Sequence, residues 1–162
     1  LYDPWIGSPF EGYRYMGNKQ KGELGERLVT LIMEKAGYNV EFAHTSTAGY
    51  DRILNGIKTE IKFSVAHTDT KKRSIKKDCF TMNHVAVGKD WDRLIFIGVN
   101  ENPNEFKAVY MTKEMFENCL KRDNHFNHQQ GGKNSKNDDY MVTEKKLREL
   151  IQSEYVKELS EW

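Results

Sequence analysis

Long apolar runs are absent from this sequence. Its most apolar stretch, Leu94–Val99, is about six residues, against the roughly 20 that a membrane helix needs, so no membrane association is expected. No basic segment leading into an apolar run opens the chain, and no signal peptide is expected. The chain begins at Leu1 rather than at methionine, which leaves its natural start open. Cysteine is scarce: Cys79 and Cys119 stand alone without C-x-x-C spacing. That excludes a disulfide framework and points to a reducing, cytoplasmic setting. An excess of one charge is missing too, with 25 Lys+Arg against 24 Asp+Glu and a net charge of +1. A globally basic, histone-like nucleic-acid binder is excluded; a local basic face is not.

No repeat or low-complexity linker divides the 162 residues, so residues 1–162 are expected to form one domain. Hydrophobic residues make up 38%, aromatic ones 12% and charged ones 30%, with a mean hydropathy of −0.78. These proportions describe a packed core under a polar surface and argue against disorder. Residues 1–18, rich in Gly and aromatics, read as an irregular arm wrapping the core. Residues 19–111 read as the main body, and residues 112–162 as helices and a polar loop.

Along the body, a helix is expected from Lys19 to Lys35, ended by Gly37. At about 100° per residue Leu24, Leu28, Leu31 and Ile32 form its apolar stripe. Alternation over Tyr38–Phe42 marks a half-buried strand. Asp51–Leu54 and Ile57–Val65 read as two strands joined by Asn55-Gly56, the dipeptide of a type I′ hairpin. Phe80–Val87, Leu94–Val99 and Phe106–Met111 are further strands, the second apolar throughout and so central to its sheet. Thr112 should cap a helix reaching Arg122, and Thr143 one reaching Leu159. The fold class expected is α/β, a mixed central β-sheet flanked by helices.

Chemistry concentrates at the hairpin. With the turn at Asn55-Gly56, Leu54 faces Ile57, Ile53 faces Lys58, Arg52 faces Thr59, and Asp51 faces Glu60. Directly opposed residues have Cβ atoms roughly 4.5–5.5 Å apart, and like charges so placed repel. A divalent cation between the carboxylates removes that cost, and a small set of hard oxygen ligands suits Mg²⁺, with Mn²⁺ able to substitute. Lys62 lies two residues past Glu60 on the same strand face. An ammonium there holds a water and stabilises charge on a phosphorane, which is what phosphodiester hydrolysis needs.

Asp51-x8-Glu60-Ile61-Lys62 on a hairpin, preceded by a helix opening Lys21-Gly-Glu-Leu-Gly-Glu26, resembles the PD-(D/E)XK nuclease superfamily over residues 19–100. That superfamily includes restriction endonucleases, Holliday-junction resolvases and repair nucleases. One departure is Tyr50, which stands where the family has Pro before the Asp. The resemblance implies a restriction-endonuclease-like core, Asp51 and Glu60 as metal ligands with the Ile61 carbonyl, Lys62 on the water, and an acid of the first helix assisting the metal. Glu23 and Glu26 are the candidates. The helical wheel puts Glu23 among solvent-facing residues and Glu26 beside Val29 and Met33, which favours Glu26. Also implied are double-stranded DNA as substrate, products with 5′-phosphate and 3′-hydroxyl, and a restriction role. The enzyme would then act as a homodimer or beside a separate DNA-recognition subunit. A resolvase-like or repair nuclease, and a non-catalytic DNA-binding module, are the alternatives.

Two segments suit DNA contact. Lys71, Lys72, Arg73, Lys76 and Lys77 form a basic run after the catalytic strand, fit to grip phosphates. In the loop from His125 to Tyr140, Gln129, Gln130, Lys133 and Asn134 carry amides and an ammonium of the kind that read base edges. His84 stands where a neighbouring strand could approach the DNA, but it reads rather as a partly buried, satisfied histidine, and Trp91 and Trp162 read as packing residues.

Overall fold

A computed structural model describes residues 2–45, 48–69, 76–100, 106–122, 125–128 and 138–162. The single long helix, α1 (Asn18–Lys35), starts from Gly17, whose N–H is taken by the Gln20 side chain at 3.0 Å. It ends at Gly37, where φ is +92°. The strands are β1 (Val40–Phe42), β2 (Arg52–Leu54), β3 (Ile57–Val65), β4 (His67–Asp69), β5 (Lys76–Met82), β6 (Arg93–Val99) and β7 (Lys107–Thr112). Then come α2 (Lys113–Glu117) running into a π-helical turn (Asn118–Arg122), β8 (Asn127–His128), β9 (Tyr140–Thr143), α3 (Glu144–Gln152) and β10 (Lys157–Glu158).

Six strands make one mixed sheet in the order β1-β2-β3-β6-β7-β10, in which β3 and β6 run parallel and every other pair antiparallel. β6 is central, as its unbroken apolar run requires: every residue from Leu94 to Val99 is buried. Its side chains alternate between two cores. Ile95 and Ile97 join Trp5, Phe10, Leu24, Val29 and Met33 on the α1 side. Leu94 and Phe96 join Phe80, Trp91, Phe116, Tyr140 and Leu147 on the other. Trp5 and Phe10 bring the N-terminal arm into the α1-side core, and the Trp5 indole donates to the Asn100 carbonyl at 2.9 Å.

The second face is covered differently from expectation. Besides α2 and α3 it carries a second, four-stranded antiparallel sheet, β4-β5-β9-β8. Its β9 pairs with β5 across some sixty residues of chain (Cys79↔Thr143, Phe80↔Val142), a long-range pairing that no local pattern announces. Three local expectations are corrected. Leu31 is 57% exposed, because the buried face of α1 runs through Leu24, Gly25, Val29 and Met33, with Leu28 and Ile32 partly buried against the same core. Strand β5 stops at Met82 instead of reaching Val87. Helix α3 stops at Gln152 rather than Leu159. Glu154 turns the chain with φ +62°, and Lys157 and Glu158 then pair with Tyr110 and Val109 of β7.

Candidate active site

The hairpin turn adopts the backbone its residues demand, with φ +47° at Asn55 and +81° at Gly56. The register follows: Leu54↔Ile57, Ile53↔Lys58, Arg52↔Thr59. The two strands are unequal. β2 is three residues long and β3 nine, so beyond Glu60 the β2 side of β3 is left open. Asp51 stands where the strands part. Its N–H donates to the Thr59 carbonyl at 2.9 Å, and its Oδ2 accepts the Ile61 N–H at 2.8 Å. The carboxylate thus replaces a departing backbone carbonyl, which fixes its orientation at the start of the open edge.

Opposite it, Glu60 is 7% exposed, and the Asp51 carboxyl disfavours its ionised form. Burial first, and the Asp51 carboxyl second, push the Glu60 pKa up to about 8, against a pull downward from Lys62 and Lys89. Lys62 Nζ lies 3.9 Å from Glu60 Oε1. The pair therefore calls for positive charge, supplied by a proton or by a cation. Among the described residues no three His, Cys, Asp or Glu side chains converge on one point. Two carboxylates on an open edge suit Mg²⁺, which binds through one or two carboxylates and keeps several waters.

Helix α1 reaches this edge because it has no side chain at Gly25: a Cβ there would lie 2.5 Å from the Cβ of Phe63 in β3. Of the two helix acids, Glu23 is exposed and Glu26 half-buried, and Glu26 lines the same cavity as Asp51, Glu60, Ile61 and Lys62. Burial, with the Asp51 charge next, raises the Glu26 pKa, while Arg52 lowers it. Its Oε1 sits 3.1 Å from an Arg52 guanidinium nitrogen. Ile61 contributes to the cavity although its side chain packs into the α1-side core.

The cavity holds about 550 Å³ and is polar. Asn18, Lys21, Gly22 and Glu26 of α1 form one wall, and Thr81, Asn83 and His84 the other. Ser64, which the period of two already puts on the face of Glu60 and Lys62, ties the sheets together: its Oγ accepts the Thr81 N–H at 2.9 Å. Asn18, Lys21 and Gly22 share a helix stripe with Glu26 and were within reach of the same wheel. On the other wall only His84 carried a sequence signal. His84 in particular is not the packed histidine expected. Its side chain is 80% exposed, it follows the end of β5 with φ +59°, and Asp139 Oδ1 accepts its backbone N–H at 2.9 Å. Trp91 is the packing residue expected, 1% exposed, and Trp162 stacks edge-on against Tyr110. Lys71, Lys72, Arg73, Gln129, Gln130, Lys133 and Asn134 lie outside the described residues, as do the side chains of Lys76 and Lys77 at the start of β5.

No family model and no curated protein matches the chain. Solved structures similar to it include two endonucleases. One is the bacterial homing endonuclease I-Ssp6803I, at 17% identity and a TM-score of 0.41, covering 62% of this chain and 72% of that one. The other is a restriction endonuclease in complex with substrate DNA, at 16% identity and a TM-score of 0.45, covering 88% of this chain and 70% of that one. Both similarities are distant, and neither bears on the chemistry of the site.

Proposed function

We propose that this chain is an endonuclease of PD-(D/E)XK type that hydrolyses phosphodiester bonds of double-stranded DNA. The observation that carries this reading is Asp51 beside the buried Glu60, with Lys62 at their side, lining an open polar cavity. Asp51 and Glu60 would hold Mg²⁺ or Mn²⁺, which when bound supplies positive charge against the phosphate oxygens.

The chain's own groups do the rest. The Ile61 N–H holds Asp51 in place, so the carboxylate does not have to be ordered on binding. Lys62 projects into the cavity within 3.9 Å of Glu60. There its ammonium orients the attacking water in line with the scissile P–O bond and stabilises the charge that gathers on the phosphoryl oxygens. Lys21, Asn18, Asn83 and His84 line the flanks, donors suited to a sugar-phosphate backbone. As the water oxygen bonds to phosphorus it gives up a proton to solvent and the bond to the 3′-oxygen breaks; that oxygen takes a proton from solvent, leaving a 5′-phosphate and a 3′-hydroxyl.

Among the described residues Asp51, Glu60 and Lys62 line one cavity, which addresses one phosphodiester at a time. Two copies would cut both strands together, and a separate subunit could choose the site. Both arrangements fit a restriction system, which is the biological role we propose. The test is incubation with supercoiled and linear duplex DNA in Mg²⁺, with a chelator as control. Nicked or linear products in Mg²⁺ alone support the reading; intact DNA in Mg²⁺ and in Mn²⁺ overturns it.

A further inference from the structure

Arg52 follows Asp51 directly, and its side chain is only 13% exposed. One guanidinium nitrogen donates both to Glu26 Oε1, at 3.1 Å, and to the backbone carbonyl of Asp51, at 2.9 Å. Nε donates to Thr30 Oγ1 at 3.2 Å, and Thr30 Oγ1 in turn donates to the Glu26 carbonyl at 2.9 Å. The guanidinium lies 4.1 Å above the Phe42 ring. Strand β2 is thus clamped to α1 by one cation that touches the hairpin acid's backbone and the helix acid's carboxylate together. Glu26 lines the cavity and feels the Asp51 charge, yet its carboxylate is committed to Arg52.

We propose that Arg52 is a positioning residue that withholds Glu26 from the bound cation, so that the site offers two carboxylates instead of three. The inference rests on the reading of Asp51 and Glu60 as the cation ligands. Its consequence is selectivity. Mg²⁺ binds through one or two carboxylates and retains its waters, whereas Ca²⁺ takes six to eight oxygens and gains affinity with ligand charge. A third free carboxylate shifts the site toward the larger ion. Arg suits the task better than Lys because its planar fork reaches Thr30 through Nε while a terminal nitrogen holds Glu26 and the Asp51 carbonyl.

The experiment is calorimetric titration of the full chain, without DNA, using Mg²⁺ and Ca²⁺ as probes. Arg52→Gln frees Glu26 and is expected to tighten Ca²⁺ by about tenfold relative to Mg²⁺. Adding Glu26→Gln to it should return the ratio to that of the parent, and Arg52→Lys should keep the parent ratio in part. Glu26→Gln alone should change neither affinity by more than about threefold, and this arm decides the matter should Arg52→Gln fail to fold. A tenfold loss in Glu26→Gln alone, or an unchanged ion ratio in a folded Arg52→Gln, overturns the inference. Asp51→Asn separates the two readings. If it leaves cation binding intact, the ligand assignment itself fails, and the inference with it. If it removes binding while the Arg52 variants behave otherwise than stated, only the inference falls.

Discussion

The Cβ that Gly25 lacks would stand 2.5 Å from the Cβ of Phe63 and 3.1 Å from its Cγ. Both residues lie in regular structure, one on α1 and one on β3, so neither moves without moving its element. Gly25→Ala is expected to destabilise by about 1–3 kcal/mol through overpacking, in spite of alanine's better helix propensity. It also pushes Glu26 and Lys21 away from the cavity. Denaturant titration measures the first effect, and a fall in cleavage larger than the unfolded fraction explains measures the second. A Gly25→Ala protein as stable as the parent would remove the close approach from the account.

The carboxyl pair sets a pH dependence. A Glu60 pKa near 8, against an ordinary 4.5, means that folding favours the protonated form. The stability this gives is fully present below pH 4.5 and is lost as pH rises through about 8. Without divalent ions the melting temperature should fall over that window, and Mg²⁺ should restore most of the loss at pH 8. Glu60→Gln should flatten the profile. Melting curves from pH 5 to 9, with and without chelator, check all three.

Asp51→Ala and Asp51→Asn should differ. Both remove the charge, but only Asn leaves an oxygen for the Ile61 N–H. Alanine strands that donor, a loss of about 1–3 kcal/mol when it is buried, which offsets the relief of repulsion with Glu60. At pH 8 without metal, Asp51→Asn should melt above Asp51→Ala. Equal melting temperatures would show that the Ile61 bond contributes nothing.

His84 gives a test of the cavity's far wall. Its ring is exposed, and Asp139 Oδ1 lies 3.7 Å from its Nδ1. His84→Ala should leave the melting temperature unchanged and weaken DNA binding by roughly tenfold, the scale of one lost bond to a charged phosphate. Binding isotherms on a short duplex check it, and an unaltered affinity removes His84 from the DNA path.

The basic run and the polar loop should separate in a salt series. Neutralising Lys71, Lys72 and Arg73 should weaken binding to every duplex and flatten the slope of log affinity against log salt by about 0.9 per lost phosphate contact. Replacing Gln129, Gln130 or Asn134 should shift preference between duplexes by roughly 1–3 kcal/mol per lost base contact and leave the slope alone. Equal weakening on matched and random duplexes would show that the loop does not read bases.

The parts of the molecule that local rules govern were legible in the sequence. Asn55-Gly56 set the turn and with it the register from Leu54↔Ile57 to Arg52↔Thr59, the step before Asp51 and Glu60. The apolar run at Leu94 marked the central strand, and Thr112 and Thr143 mark where α2 and α3 begin, each accepting an N–H three residues on. What local pattern could not carry was contact between distant segments. The tightest point of α1 is a glycine, which hydrophobic periodicity does not count, so the pattern places Leu24 on the packed face but adds Leu31, which is exposed. The second sheet depends on β5 meeting β9, and with it came the exposed placement of His84. The end of α3 is set by the free edge of β7, where Tyr110 and Val109 offer Lys157 and Glu158 partners that only the folded chain supplies.

The measurement that bears most directly on the central claim is single-turnover cleavage of duplex DNA in Mg²⁺ by the parent chain, Asp51→Asn, Glu60→Gln and Lys62→Met, each shown to be folded and to bind the duplex. Cleavage by the parent, a loss of at least about a thousandfold in each variant (~4 kcal/mol of barrier) and retained DNA binding are the results expected. A folded variant of Asp51 or Glu60 that cuts at the parent's rate would contradict the account.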